Sequence, residues 1–205
     1  MQDLRLAAPA ALRNRDLILD AIRERLPPRG LVLEIASGSG QHCVRFGERL
    51  PEIVFQPSDP DPRARASIDA WIAAAGVTNV RAAIALDAAA PVWPLARADA
   101  ILCFNMIHIA PWRATLGLLA GAARLLDKGA PLVLYGPYKR GGAHTSDSNA
   151  AFDRSLREEN PEWGVRDLDA VEDAAIANGF SAAAVTPMPA NNLTLVFTRQ
   201  GPGPG

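Results

Sequence analysis

The stretch Leu33-Glu34-Ile35-Ala36-Ser37-Gly38-Ser39-Gly40-Gln41-His42 sets how the rest of the chain is read. Leu31 to Ala36 is an apolar run of strand length broken by a single acid. The small residues at 36 to 40 let the backbone turn sharply and let a ligand approach the main chain. Gln41-His42 then opens a helix whose first N–H groups lack partners within the helix. A strand, a glycine turn and a helix N-terminus in this order form a ligand-binding loop of nucleotide type.

Working outward, further strand-length apolar runs occur at Ile53 to Gln56, Val80 to Leu86, Ala100 to Phe104 and Pro131 to Tyr135. Helical patterns separate them. Asp61 caps and Pro62 starts a helix with Ile68, Trp71, Ile72 and Ala75 on one face and Gly76 as its stop. Trp112, Leu116, Leu119, Ala123 and Leu126 repeat at helical spacing, as do Ile18, Ile22 and Leu26 before Pro27-Pro28. Strands alternating with helices predict parallel pairing, and near-continuous hydrophobicity predicts strands covered on both faces. The last two runs, Phe180 to Val185 and Leu193 to Thr198, are joined too briefly for a crossover helix and are expected to be antiparallel. The fold class is therefore α/β: a Rossmann-like, doubly wound sheet of seven strands, mostly parallel with an antiparallel last strand. A single domain is expected over 1–200, with a frayed tail at 201–205.

Gly136 to Asp147 has loop composition, followed by a short helix around Phe152 and Leu156. Its length predicts a mobile wall near a binding site.

The 205 residues carry 21 Lys and Arg against 22 Asp and Glu. This balance supplies no global basic excess for a nucleic acid or an anionic membrane. No apolar segment reaches the ~20 residues of a membrane span. Cys43 and Cys103 lie in apolar runs without C-x-x-C spacing, and no histidine pair has ligand spacing with a carboxylate, so neither a disulfide framework nor a metal site is expected. The expected setting is the cytoplasm; the oligomeric state is not read from the sequence.

Ligands of open α/β sheets bind beyond the carboxyl ends of the strands. A dinucleotide fingerprint started at Gly38 needs a glycine where Cys43 stands, which disfavours pyrophosphate and a nicotinamide cofactor. The order E-x-A-x-G-x-G resembles motif I of class I S-adenosylmethionine (SAM)-dependent methyltransferases. Polar residues follow the other strands: Ser58-Asp59, Asp87, then Asn105-Met106-Ile107-His108. Together with Gln56-Pro57-Ser58-Asp59 and Ser148-Asn149-Ala150-Ala151-Phe152-Asp153, these stretches resemble the methyltransferase-like 26 family. The resemblance implies the fold and SAM as cofactor but no particular substrate; with no basic appendage and no Asn/Asp-Pro-Pro-Tyr motif after the fourth strand, a small-molecule acceptor is expected, with no nucleic acid or membrane partner.

On this reading Glu34, Ala36, Gly38, Gly40, Asp59, Asp87 and Asn105 hold the cofactor, with Glu34 toward the amino end of the methionine and Asp59 on the ribose. Asn105 and His108 face the transferred methyl, where an imidazole near its ordinary pKa serves as a base, or else merely orients a loop. His144, Ser148 and Asn149 are expected on the acceptor side, as part of a segment that closes on binding; the other reading is a surface excursion in which Asp147 or Ser148 caps the following helix. Arg13-Asn14-Arg15 is either a solvated face or, by the resemblance, a lid. A non-catalytic SAM-binding or interaction module is the alternative function.

Overall fold

The computed structural model describes residues 3–201. Residues 202–205 of the expected tail lie outside the described residues. Helix α1 (Pro9–Ile22) and the segment before it lie over the loop that begins the sheet. Then come β1 (Gly30–Ile35), α2 (Gln41–Arg49), β2 (Ile53–Pro57), α3 (Pro62–Ala75), β3 (Ala100–Phe104), α4 (Trp112–Leu125) and β4 (Pro131–Pro137). A two-residue hairpin, β5 (Lys139–Arg140) and β6 (Ala143–His144), precedes α5 (Asp147–Glu159), α6 (Leu168–Ala177), β7 (Ala184–Met188) and β8 (Asn192–Thr198).

The main sheet runs β2-β1-β3-β4-β8-β7. Its first four strands are parallel, and β8 inserts antiparallel between β4 and β7. Alternate residues of the central strands bury opposite faces. Leu33, Ile101, Leu132 and Phe197 pack with α4 and α6, whereas Val32, Leu102, Val133 and Val196 pack with α1, α2 and α3. Two covered faces explain the continuous apolar runs.

The sheet has six strands, not seven. Val80 to Leu86 touches β2 only at two isolated bridges, Phe55 with Val80 and Ser58 with Ile84. The cause is Pro57, which has no N–H to donate into the ladder. The Gln56 side chain instead reaches the Ala82 carbonyl at 2.9 Å, and the Pro57 carbonyl takes its bond from Ile84. The first strand of the final pair also begins later than expected, at Ala184, leaving Phe180 buried and bridged to Arg199.

The expected loop after β4 is largely ordered by internal bonds. Ser146, rather than Asp147 or Ser148, caps α5 by accepting the Asn149 N–H at 3.2 Å. Among the described residues no helix is long and apolar enough to cross a membrane.

Candidate functional site

At the end of β1 the chain turns through Ala36, Gly38 and Gly40, all at positive φ (54°, 56° and 90°). The two glycines serve different ends. A Cβ on Gly40 would lie 2.7 Å from the Ile68 Cα, so this glycine allows α3 to pack against the loop. A Cβ on Gly38 would meet nothing within 4 Å, because it would project into open space.

The Gln-Pro-Ser-Asp run after β2 holds this loop in place. Ser58 donates its hydroxyl and its N–H to the Glu34 carbonyl, at 2.8 and 2.9 Å. Asp59 accepts the Gly38 N–H at 3.0 Å on one oxygen and the Asp61 N–H at 3.0 Å on the other. Burial raises the Asp59 pKa, opposed by these two N–H groups.

A cavity of about 370 Å³ opens between α1 and this loop, with Asn14, Glu34, Gly38, His42, Asn105 and Met106 on its walls. A second, of about 280 Å³, shares Ala36, Met106 and Ile109 with the first and reaches Asp59 and Asp87. The two form one cleft across the carboxyl ends of β1, β2 and β3. Glu34, Ala36, Gly38, Asp59, Asp87 and Asn105 are thus brought together on its walls, whereas Gly40 is not.

Glu34 is the least satisfied group in the cleft. It is 1% exposed, and its Oε2 has no hydrogen-bond partner. Burial pushes its pKa up to about 7, opposed by Ser37 and Cys43. An unpaired buried carboxylate is costly, so such a group is a receptor for a cation or a donor. Cys43 and Cys103 are buried free thiols whose pKa values are raised, chiefly by burial.

Asn14 was legible in the sequence only as part of a charged tripeptide. It forms a wall of the cleft, and its Oδ1 accepts from His42 Nε2 at 2.9 Å. Burial, aided by Arg15, lowers the His42 pKa to about 4, so the ring is neutral. The segment before α1 is pinned to the same elements. Leu6 N–H donates to Ser67 Oγ, Trp71 Nε1 to the Leu6 carbonyl and Ala8 N–H to Gln41 Oε1, at 2.8 to 3.0 Å.

Of the two readings of His108, its placement fits the one in which the ring orients a loop rather than the one in which it serves as a base. The ring is fully buried and does not line the cleft; its Nδ1 accepts the Arg166 N–H at 3.2 Å. Burial, together with Arg166, lowers its pKa to about 3. Arg166, which sequence reasoning missed, also donates to the Ile107 and Ala110 carbonyls at 2.9 and 2.6 Å. His108 and Arg166 therefore fix the turn after β3, from which Asn105, at φ 61°, and Met106 reach the cleft.

His144, Ser148 and Asn149 also lie elsewhere than on the cleft. His144 Nε2 is 3.4 Å from Asp153, which also meets Lys139, Arg157 and the Val165 N–H. Burial alone would raise the Asp153 pKa; Arg157, the Val165 N–H and Lys139 together bring it below its ordinary value. Asn149 donates to Thr145 Oγ1 and to the Asn191 carbonyl, both at 3.0 Å, and Ser148 accepts from Asn191 at 3.3 Å. These three residues tie a segment down, although His144 Nδ1 is left without a partner.

The sequence profile of DUF938, described as a protein of unknown function, matches residues 5–199. The chain belongs to the DUF938 family. Solved structures similar to this DUF938 protein include an O-methyltransferase family protein from Burkholderia thailandensis, 17% identical with a TM-score of 0.80, covering 94% of this chain and 58% of that one. A putative O-methyltransferase from Nostoc punctiforme is 18% identical with a TM-score of 0.82, over 93% and 57%. Human N-acetylserotonin methyltransferase, solved in complex with SAM, is 13% identical with a TM-score of 0.76, over 93% and 53%. The DUF938 chain thus spans a little over half the length of these relatives, and it shares with them the class I methyltransferase fold.

Proposed function

We propose that this protein is a SAM-dependent methyltransferase acting on a small molecule, related to the methyltransferase-like 26 group by its Gln-Pro-Ser-Asp and Asn-Met-Ile-His stretches. The observation that carries the reading is Glu34, a buried carboxyl on the wall of the cleft with one oxygen unpartnered, beside a loop that is open at Gly38. The fold shared with O-methyltransferases supports it.

The residues fit the group. Glu34 would take the ammonium of the methionine, whose charge restores what burial costs the carboxylate. Gly38 would let the ligand lie against the loop. Asp59 keeps lone pairs for ribose hydroxyls after accepting its two N–H bonds, and Asp87 stands at the far end of the cleft. When bound, SAM supplies an electrophilic methyl: its carbon–sulfur bond breaks with the electron pair going to sulfur, while the acceptor atom bonds to the methyl and loses its proton to water. The chain's own task is alignment and exclusion of competing water. His108 contributes by holding the turn that presents Asn105.

Calorimetric titration with S-adenosylhomocysteine (SAH), followed by incubation of metabolite extracts with methyl-labelled SAM, tests this reading. Saturable one-to-one binding and a labelled small product are expected. Absence of SAH binding overturns the cofactor assignment; binding without labelled product overturns the enzyme and leaves a SAM-binding module.

A further inference from the structure

Next to the cleft, sharing Ala10 and Asn14 with it, lies a third cavity of about 210 Å³. We propose that this cavity seats the methyl acceptor and that the acceptor is a compact organic acid, with its apolar body inside and its carboxylate at Arg13. The inference rests on the reading of the cleft as the SAM site.

One wall is a face of α1, with Ala10, Arg13, Asn14 and Leu17 at helical spacing. The facing wall is the turn between β7 and β8, including Met188 and Asn192, and Tyr135 at the end of β4 is the floor. The interior is apolar through Leu17 and Met188, with polarity gathered at two places. Inside, the Tyr135 hydroxyl faces Asn14 and Asn192, and burial, opposed by these two amides, raises its pKa. At the mouth stands Arg13, exposed and without an ion pair among the described residues. A guanidinium fork matches a carboxylate in shape as well as charge. The volume is below the ~300–1,000 Å³ usual for drug-sized ligands, which limits the acceptor to a small acid.

The facing wall is held rigid. Ala190 and Asn191 both have left-handed backbones, φ 58° and 57°, a conformation that costs free energy for a residue with a Cβ. The start of α5 fixes it: Asn149 donates to the Asn191 carbonyl, and Asn191 donates to Ser148. Asn149 and Ser148 are thus positioning residues for the acceptor wall, one step behind the place the sequence suggested.

The three methionines supply the test. Met106 lines the cleft and Met188 the third cavity. The full chain is labelled with carbon-13 at its methionine methyl groups, with signals assigned from Met106→Leu and Met188→Leu. SAH is added first, then salicylate or hexanoate, each compared with its amide. SAH should shift Met106. The acids should then shift Met188 at concentrations roughly tenfold lower than the amides, and Arg13→Gln should erase that difference. Acids that leave Met188 unmoved, amides that match them, or a preference surviving Arg13→Gln each overturn the proposal. If SAH leaves Met106 unmoved while the acids still move Met188, the cofactor reading fails and the acid site stands.

Discussion

The glycine loop with its bracing Ser58 and Asp59, and the later polar residues at His108 and from His144 to Asp153, dispose of their hydrogen bonds differently. Around the loop, Ser58 and Asp59 saturate the backbone and leave the Glu34 carboxyl with an unpartnered oxygen on the cleft. In the later segment, Asn149 bonds inward to the adjoining turn, His108 accepts from Arg166, and Asp153 gathers Lys139, Arg157, His144 and an N–H. Polarity alone therefore does not mark a binding residue. Both regions leave bonding capacity over, at Glu34 Oε2 in one and at His108 Nε2 and His144 Nδ1 in the other, and what separates them is that only Glu34 stands on the wall of the cleft.

The sharpest way to break this contrast is Gly38→Val. The new side chain enters open space and displaces no neighbour, so the protein should fold at a cost of about 1–2 kcal/mol for the left-handed backbone, while SAH affinity should fall on the order of a thousandfold, or about 4 kcal/mol. Near-normal affinity by calorimetry would remove the loop from the cofactor site.

Glu34→Gln comes next and acts in two directions. Because the folded-state pKa of Glu34 is raised from 4.5 to about 7, the folded protein holds a proton that the unfolded chain releases between those values. Stability of the ligand-free wild type is then lost as pH rises through that window and stays lower above it. Denaturant unfolding at pH 8 should find the variant more stable by up to about 3 kcal/mol, a gain that fades below pH 4.5. SAH binding should weaken in the same variant, and wild-type binding should strengthen as pH rises toward 7. Unchanged stability at pH 8 would mean that Glu34 is not an unpaired charge.

Asn149→Ala has the smallest expected effect. It removes two hydrogen bonds remote from the cleft, so thermal unfolding should show a loss of about 1–2 kcal/mol with SAH affinity unaltered. A fall in SAH affinity would return this segment to the cofactor site.

The sheet order and most helices were legible because apolar period and punctuation are local signals. Pro62 and Gly76 bracket α3 as their backbone chemistry requires. The missing strand had its explanation in plain view at Pro57, but the consequence appears only when the partner segment is known to need that N–H. The cleft acids were legible because the ends of parallel strands share one edge. The two readings of His108 stayed open because a position after a strand end does not reveal that the Arg166 N–H, far along the chain, bonds the ring in the interior. Tyr135 was missed, and Arg13 was read only as a solvated face or a lid, for the same reason: the cavity between α1 and the last turn joins residues from both ends of the chain.

The interruption at Pro57 also bears on how the molecule meets its own copies. A sheet edge that shows an unbroken row of free N–H and C=O groups is a template for another chain. Beyond β2 the segment from Val80 to Ile84 covers that row without extending it, bridged only at its two ends, with the Gln56 amide filling the gap between. A newcomer would find a bent, discontinuous border there instead of a seventh strand to copy. The proline that shortens the sheet thus guards it against edge-to-edge aggregation.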